Sequence, residues 1–279
     1  MTSETQEYQV TVDNDNDNAV DLLATKTGFS KQKIKQIMQK GAVWLTNNKG
    51  THRLRRKSKK LTSGSTVHLY YDPSVLNEYI PTAVLIADEG DYSVWYKPRG
   101  MLSQGSKWGD HCAINRYVEQ HLEPQRPAFI VHRLDRFASG LILIAHKKKV
   151  ATLLANLFKD KTIHKQYKVI VEGKFPEQQN FTNEIDGKSA ISHASLLKYD
   201  SVNNESLVCV SIETGRKHQI RKHLSEAGFP VVGDRSYGTE DDRDLQLTAF
   251  KINFVCPITQ SQKEFTLDNN LQPQLKADT

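Results

Sequence analysis

The 279-residue chain has only three cysteines, Cys112, Cys209 and Cys256, far apart and without a CxxC pair. Neither a disulfide framework nor a cysteine zinc site is therefore expected. Residues 1–9 are polar, and no apolar run is long enough to span a bilayer. These two absences lead to the expectation of a soluble, cytoplasmic protein. The third absence is local: residues 22–70 contain no Asp or Glu, against twelve Lys or Arg. Over the whole chain, 38 basic residues against 32 acidic ones leave a formal charge of +6. That excess is too small to name an anionic partner, whereas a folded-looking segment without acids points to phosphate contacts.

Around and within that segment Val20, Leu23 and Ala24, then Ile34, Ile37 and Met38, show helical spacing, with Ser30 placed to cap the second helix. Gly41 stops it, and residues 43–45 and 67–70 read as short strands. Between them Arg53-Leu54-Arg55-Arg56-Lys57-Ser58-Lys59-Lys60 reads as an exposed basic loop. A solvated charge run or a localisation tract has the same composition. The missing acids favour backbone contacts to nucleic acid instead, with Lys31, Lys33, Arg53, Arg55 and Arg56 as candidates. Residues 1–19, including Asp-Asn-Asp-Asn-Asp-Asn at 13–18, read as a flexible acidic tail; the Gly and distant Glu of a calcium loop are missing. Proline spacing makes 73–81 a linker. The expected organisation is a tail (1–19), a small basic domain (20–72), the linker and a main domain (82–279).

The main domain is organised around Val131-His132-Arg133-Leu134-Asp135-Arg136-Phe137-Ala138-Ser139-Gly140-Leu141. Apolar runs at 129–131 and 141–145 read as buried strands, which puts Asp135 in their connection with Arg133 and Arg136 on either side. A structural ion pair at a strand end explains these residues as well as a reactive carboxylate does. Upstream, Lys97-Pro98-Arg99-Gly100 is a sharp strand exit. Downstream, 149–161 is an amphipathic helix, and 165–173 a strand with Tyr167, Val169 and Val171 on one face. Further strands are read at 192–199, 207–213 and 245–250. Thr214-Gly215-Arg216-Lys217-His218-Gln219-Ile220-Arg221 opens a helix with Ile220 and Leu224 on its buried stripe. Arg216, Lys217 and His218 are further candidates for contact with nucleic acid.

The wording of these segments is more specific than their periodicity. His-Arg-Leu-Asp-Arg followed by Ser-Gly-Leu, with Lys-Pro-x-Gly before it and Lys-x-Tyr and His-Gln-Ile-Arg after it, closely resembles the RluA-type RNA pseudouridine synthases. Residues 20–72 resemble the alpha-L RNA-binding domain that precedes many of them. The resemblance implies an α+β pseudouridine synthase fold: a long, largely antiparallel mixed sheet split by an RNA-binding cleft, with a small N-terminal RNA-binding domain. It also implies that Asp135 is the essential catalytic residue, that Tyr167 stacks on the target base, and that Arg221 pairs with Asp135. Arg133 would fill the space of the flipped nucleotide, and Leu247 would wall the base pocket. Two positions depart from the pattern: Ala138 stands where Thr is usual, and Thr248 where His is usual.

The reaction so implied turns specific uridines of structured RNA, ribosomal RNA ahead of transfer RNA, into pseudouridine. The uracil never leaves, so no metal and no organic cofactor is expected. RNA is the only partner implied, and a monomer is expected. An inactive RNA-binding or ribosome-assembly factor on the same scaffold is the rival, and retention of Asp135, Tyr167 and Arg221 argues against it. A metal nuclease using His132, Asp135 and His218 is a third reading; it lacks ligand spacing.

Overall fold

The computed structural model describes residues 4–239 and 242–276. The chain divides into two compact units, Met1–Ile80 with Gln104–Tyr117, and Pro81–Ser103 with Val118–Thr279. The first carries β1 (Gln6–Thr11), α1 (Ala19–Thr27), α2 (Lys31–Gln39), β2 (Val43–Asn47), β3 (Gly50–Arg53), β4 (Thr66–Tyr71) and the short α3 (Pro73–Leu76). Its four strands form one antiparallel sheet in the order β1-β4-β2-β3. The Asn18 and Ser30 side chains cap α1 and α2, accepting from Val20 N–H and Lys33 N–H.

Three features differ from the sequence reading. The supposed flexible tail contains β1, paired along its whole length with β4. Val12, just beyond β1, is buried, and Tyr8 and Val10 pack against the same core, an alternation that polar neighbours hid. The supposed linker contains α3, capped by Asp72, and Leu76 lies buried in that core. Residues 104–117 belong to this unit, so a boundary drawn once, near residue 82, misses a later return of the chain.

In the second unit, β5 (Val84–Asp88), β6 (Tyr92–Lys97), β7 (Phe129–Ile130), β8 (Ser139–Ala145), β9 (His164–Glu172), β10 (Gln178–Phe181), β11 (Ser192–Asp200), β12 (Glu205–Ile212), β13 (Leu247–Val255) and β14 (Gln262–Thr266) build one ten-stranded sheet. Helix α4 (Ile114–His121) leads into this unit. The amphipathic α5 (Lys148–Lys159) follows β8, and α6 (Gln219–Glu226) precedes β13. The sheet order is β10-β11-β12-β9-β13-β8-β6-β5, with β14 on β13 and β7 on β8. Every pairing is antiparallel except β13 with β8, where two residue pairs, Thr248 with Ser139 and Ala249 with Gly140, form a short parallel seam. This is the expected mixed, largely antiparallel α+β sheet.

The seam explains one glycine. A Cβ on Gly140, at φ +127°, would come within 2.7 Å of the Ala249 Cα, so the two backbones can approach only without a side chain there. One apolar cluster, with Tyr167, Val169, Leu224 and Leu247, lies on the β13 side. A second, with Tyr92, Leu141, Leu143 and Phe254, involves β6 and β8. Asp135 enters where the chain arrives at this seam.

Candidate active site

Asp135 lies between β7 and β8, in a loop fastened to residues 97–103. The Ser103 hydroxyl donates to the Leu134 carbonyl at 2.7 Å and accepts from the Leu134 N–H at 2.9 Å. Gly100 N–H donates to the Arg136 carbonyl at 2.9 Å. Lys97, fully buried, directs its ammonium to four carbonyls: Ala138 at 2.7 Å, Met101 at 2.9 Å, Pro98 at 3.1 Å and Arg136 at 3.3 Å. Burial lowers the Lys97 pKa to about 7, against the opposing pull of Asp135. The strand exit read from Lys-Pro-x-Gly is thus the anchor of the Asp135 loop. Ala138 is buried and contributes its carbonyl to that anchor.

Two side chains face the carboxylate. Arg221 Nη1 stands 3.9 Å from one oxygen and His218 Nε2 3.9 Å from the other, while the Asp135 side chain keeps 29% of its surface exposed. The expected neighbour is present, yet the tight partner of Arg221 is another residue. Its Nε and Nη2 donate to Asp234 at 2.7 and 2.6 Å, a bidentate pair with both side chains buried. Asp234 also accepts from the N–H groups of Ser236 and Tyr237. Burial alone would raise its pKa; the bonds from Arg221 and these N–H groups outweigh that and hold it below the usual carboxylate value. The Tyr237 hydroxyl bonds His218 Nδ1 at 2.9 Å, and the Arg221 guanidinium lies 5.0 Å over the Tyr237 ring. Burial pushes His218 below its ordinary pKa, with Asp135 opposing and Arg221 assisting. His218 itself sits at φ +57° as the residue before α6. Gln219 ties this entry down, accepting from the Thr214 hydroxyl at 2.7 Å and donating to the Ile191 carbonyl at 2.9 Å.

Tyr167 and Leu247 are buried in one apolar cluster with Leu134 and Ala138, which flank Asp135 along the chain. Burial, and then Asp135, push the Tyr167 phenol upward, so it holds its proton. Thr248, in place of the usual His, bonds the Ser139 hydroxyl at 2.8 Å across the parallel seam. The ring of His132 stacks on Phe158 at 4.4 Å, and its Nε2 accepts from Leu143 N–H, which makes it a packing residue and no metal ligand.

The basic candidates divide. Arg133, Arg216 and Lys217 are not buried; Arg136 is half-buried, with its Nε donating to the Gly100 carbonyl at 3.3 Å. In the first unit Arg56 is exposed, but Arg53 and Arg55 are not members of an exposed loop. Arg53 ends β3, lies 4.3 Å over the Trp44 ring and pairs with Asp110 at 3.1 Å; Arg55 pairs with the same carboxylate. An acid at 110, outside the acid-free stretch, gives both arginines a structural task. Lys31 pairs with Asp21 at 2.7 Å, and the Lys33 ammonium covers the Phe29 ring at 3.9 Å. Sequence reasoning missed Ser103, Asp110, Tyr237 and the role of Asp234. Only Asp234 had a local signal, as the end of a Gly-Phe-Pro-Val-Val-Gly-Asp run after the helix.

Comparison with known proteins gives this arrangement its family. The family model described as RNA pseudouridylate synthase matches residues 91–226. An uncharacterized RNA pseudouridine synthase of Aquifex aeolicus is 30% identical over 236 residues, covering 75% of this chain and 73% of that protein. The ribosomal large subunit pseudouridine synthase C of Rickettsia bellii is 31% identical, covering 72% and 71%. The solved structure of human RNA pseudouridylate synthase domain containing 1 shares the fold, with a TM-score of 0.57 at 20% identity, over 69% of this chain and 85% of that one. At these identities and coverages, this chain belongs to the RluA-type RNA pseudouridine synthases, a family of isomerases.

Proposed function

We propose that this chain converts a uridine of large-subunit ribosomal RNA to pseudouridine with Asp135 as the essential group. The observation that carries the role of Asp135 is its setting: a partly open carboxylate on a loop fixed at Lys97 and Ser103, with Arg221 and His218 each 3.9 Å away. A group held this way needs little reorganisation when the substrate arrives. The ribosomal target follows the name of the Rickettsia relative; transfer RNA is the other candidate.

The uridine leaves its stack and enters beside Asp135, where the Tyr167 ring replaces the lost stacking and Leu247 supplies an apolar wall. The N1–C1′ bond breaks, the ring turns, and C5 joins C1′. C5 loses a proton and N1 gains one, so the product is an isomer of the substrate. The protonated Tyr167 phenol leaves Asp135 and water as acceptors for the C5 proton. Arg221, fixed by Asp234, keeps a positive charge beside the carboxylate throughout. In the first unit, Arg56 and its neighbours Lys57 and Lys60, all exposed, add sequence-independent phosphate contacts. The whole acts as a monomer in the cytoplasm.

The test is tritium release from unmodified ribosomal and transfer RNA transcripts carrying tritium at uridine C5. Wild-type protein releases it from ribosomal RNA, and Asp135→Asn releases none while still binding that RNA. Turnover by Asp135→Asn at a near-normal rate would remove Asp135 from the chemistry. Release from transfer RNA alone would move the target.

A further inference from the structure

A second cavity adjoins the site just described. It is lined by Arg99, Phe137, Arg235, Asp244 and Leu245, with the Arg221–Asp234 pair forming part of its wall. Asp135, Tyr167 and Leu247 do not line it, so it is distinct from the place assigned to the target base. Phe137 is the unusual member. It follows Asp135 by two residues in the fastened loop, yet 56% of it is exposed, with the Arg136 guanidinium 5.3 Å from its ring. The loop needs no phenyl group there for packing, since neighbouring Ala138 and Leu134 supply the buried contacts.

We propose, on the footing of the isomerase reading, that this cavity takes the RNA nucleotide adjoining the target uridine. The base stacks on Phe137, and Arg235 holds its phosphate. The chemistry fits a nucleotide on three counts. An exposed aromatic face beside a guanidinium is a platform for any base. Arg99 and Asp244, 3.4 Å apart and both exposed, offer a donor and an acceptor to a base edge. Leu245 closes the inner side with apolar surface. Geometry supplies the link to the target: Phe137 is two residues along the chain from Asp135, so their Cα atoms are at most about 7 Å apart. A nucleotide on Phe137 is therefore close enough to be joined covalently to one at Asp135. The same guanidinium, Arg221, borders both places, which makes the two subsites parts of one binding surface.

The experiment is the rate of tritium release against RNA concentration for wild type, Phe137→Ala, Phe137→Tyr, Arg235→Ala and Asp135→Asn, on the same C5-tritiated transcripts. Phe137 is on the surface, and thermal melting of each variant verifies that folding is unchanged. Phe137→Ala should raise KM about 5- to 150-fold, the range for loss of one base–aromatic stack, with kcat within about threefold. Phe137→Tyr keeps the ring and should restore KM to within about twofold. Arg235→Ala should raise KM less and flatten its dependence on salt. An unchanged KM in Phe137→Ala, with Asp135→Asn inactive, overturns the subsite and leaves the isomerase reading intact. A loss confined to kcat overturns it too, because the ring would then only shape the Asp135 loop. Activity in Asp135→Asn overturns the reading beneath, whatever Phe137 does.

Discussion

Each unit of this protein contains a three-membered cluster of arginine and aspartate, and the two clusters have opposite stoichiometry. In the first unit, one carboxylate, Asp110, is shared by Arg53 and Arg55. In the second, one guanidinium, Arg221, is shared by Asp234 and Asp135. Two cations hold one oxygen of a single buried anion, Asp110 Oδ2. With one cation between two anions, the nearer carboxylate takes the bidentate bonds and the farther one, at 3.9 Å, stays open. The proposed catalytic group, Asp135, is thus the carboxylate that the guanidinium does not grip. Residue types alone do not show this, since both clusters are built from the same two amino acids.

The sharpest way to break the comparison is to remove the saturated anion. Asp234→Ala should cost about 3–5 kcal/mol, the usual penalty for halving a buried pair, and turnover should collapse as Arg221 moves onto Asp135. Urea denaturation and tritium release measure the two effects. The pH dependence has a definite sign. The folded pKa of Asp234 is below its unfolded value of about 3.9, so its contribution is full above that value. It is lost as pH falls through the folded pKa, and the stability gap between wild type and Asp234→Asn should close on acidification.

Removing the shared anion of the other cluster should do less. Asp110→Ala should cost about 1–3 kcal/mol and raise amide exchange in β2 and β4, with β9 unaffected. Equal loosening of β9 would show that the clusters are not independent. Tyr167→Ala should lose about 1–3 kcal/mol of RNA affinity, and Tyr167→Phe almost none, by titration with Asp135→Asn as the background. The smallest effect belongs to the exposed cations. A triple Ala variant of Arg56, Lys57 and Lys60 should bind RNA with a shallower log–log salt slope, by about 0.9 for every phosphate these side chains neutralise on a duplex. Arg53→Ala should instead lower the stability of the first unit and leave the slope unchanged.

Much of this was legible in the sequence, and the remainder divides by range. The strands and helices around Asp135, Tyr167 and Arg221 were readable because apolar periodicity is local, as was the Ser30 cap of α2. Strand β1 was not, because Tyr8 and Val10 alternate among polar residues and gain their meaning only opposite β4. The structural roles of Arg53 and Arg55 were hidden because their partner arrives more than fifty residues later, in a segment with no composition signal of its own. Asp234 stood in view within a motif, but sequence cannot say which of two carboxylates an arginine will grip.

The fastening of residues 133–138 decides which side of the encounter must rearrange. Moving that loop would strip the Lys97 ammonium of the carbonyls of Arg136 and Ala138 and break both bonds between Ser103 and Leu134. The loop is consequently the stiff body in the collision, and the nucleic acid is the deformable one. Under the proposed function, substrate choice becomes a mechanical property of the RNA: a uridine that unstacks at low cost is favoured over one held in a firm helix.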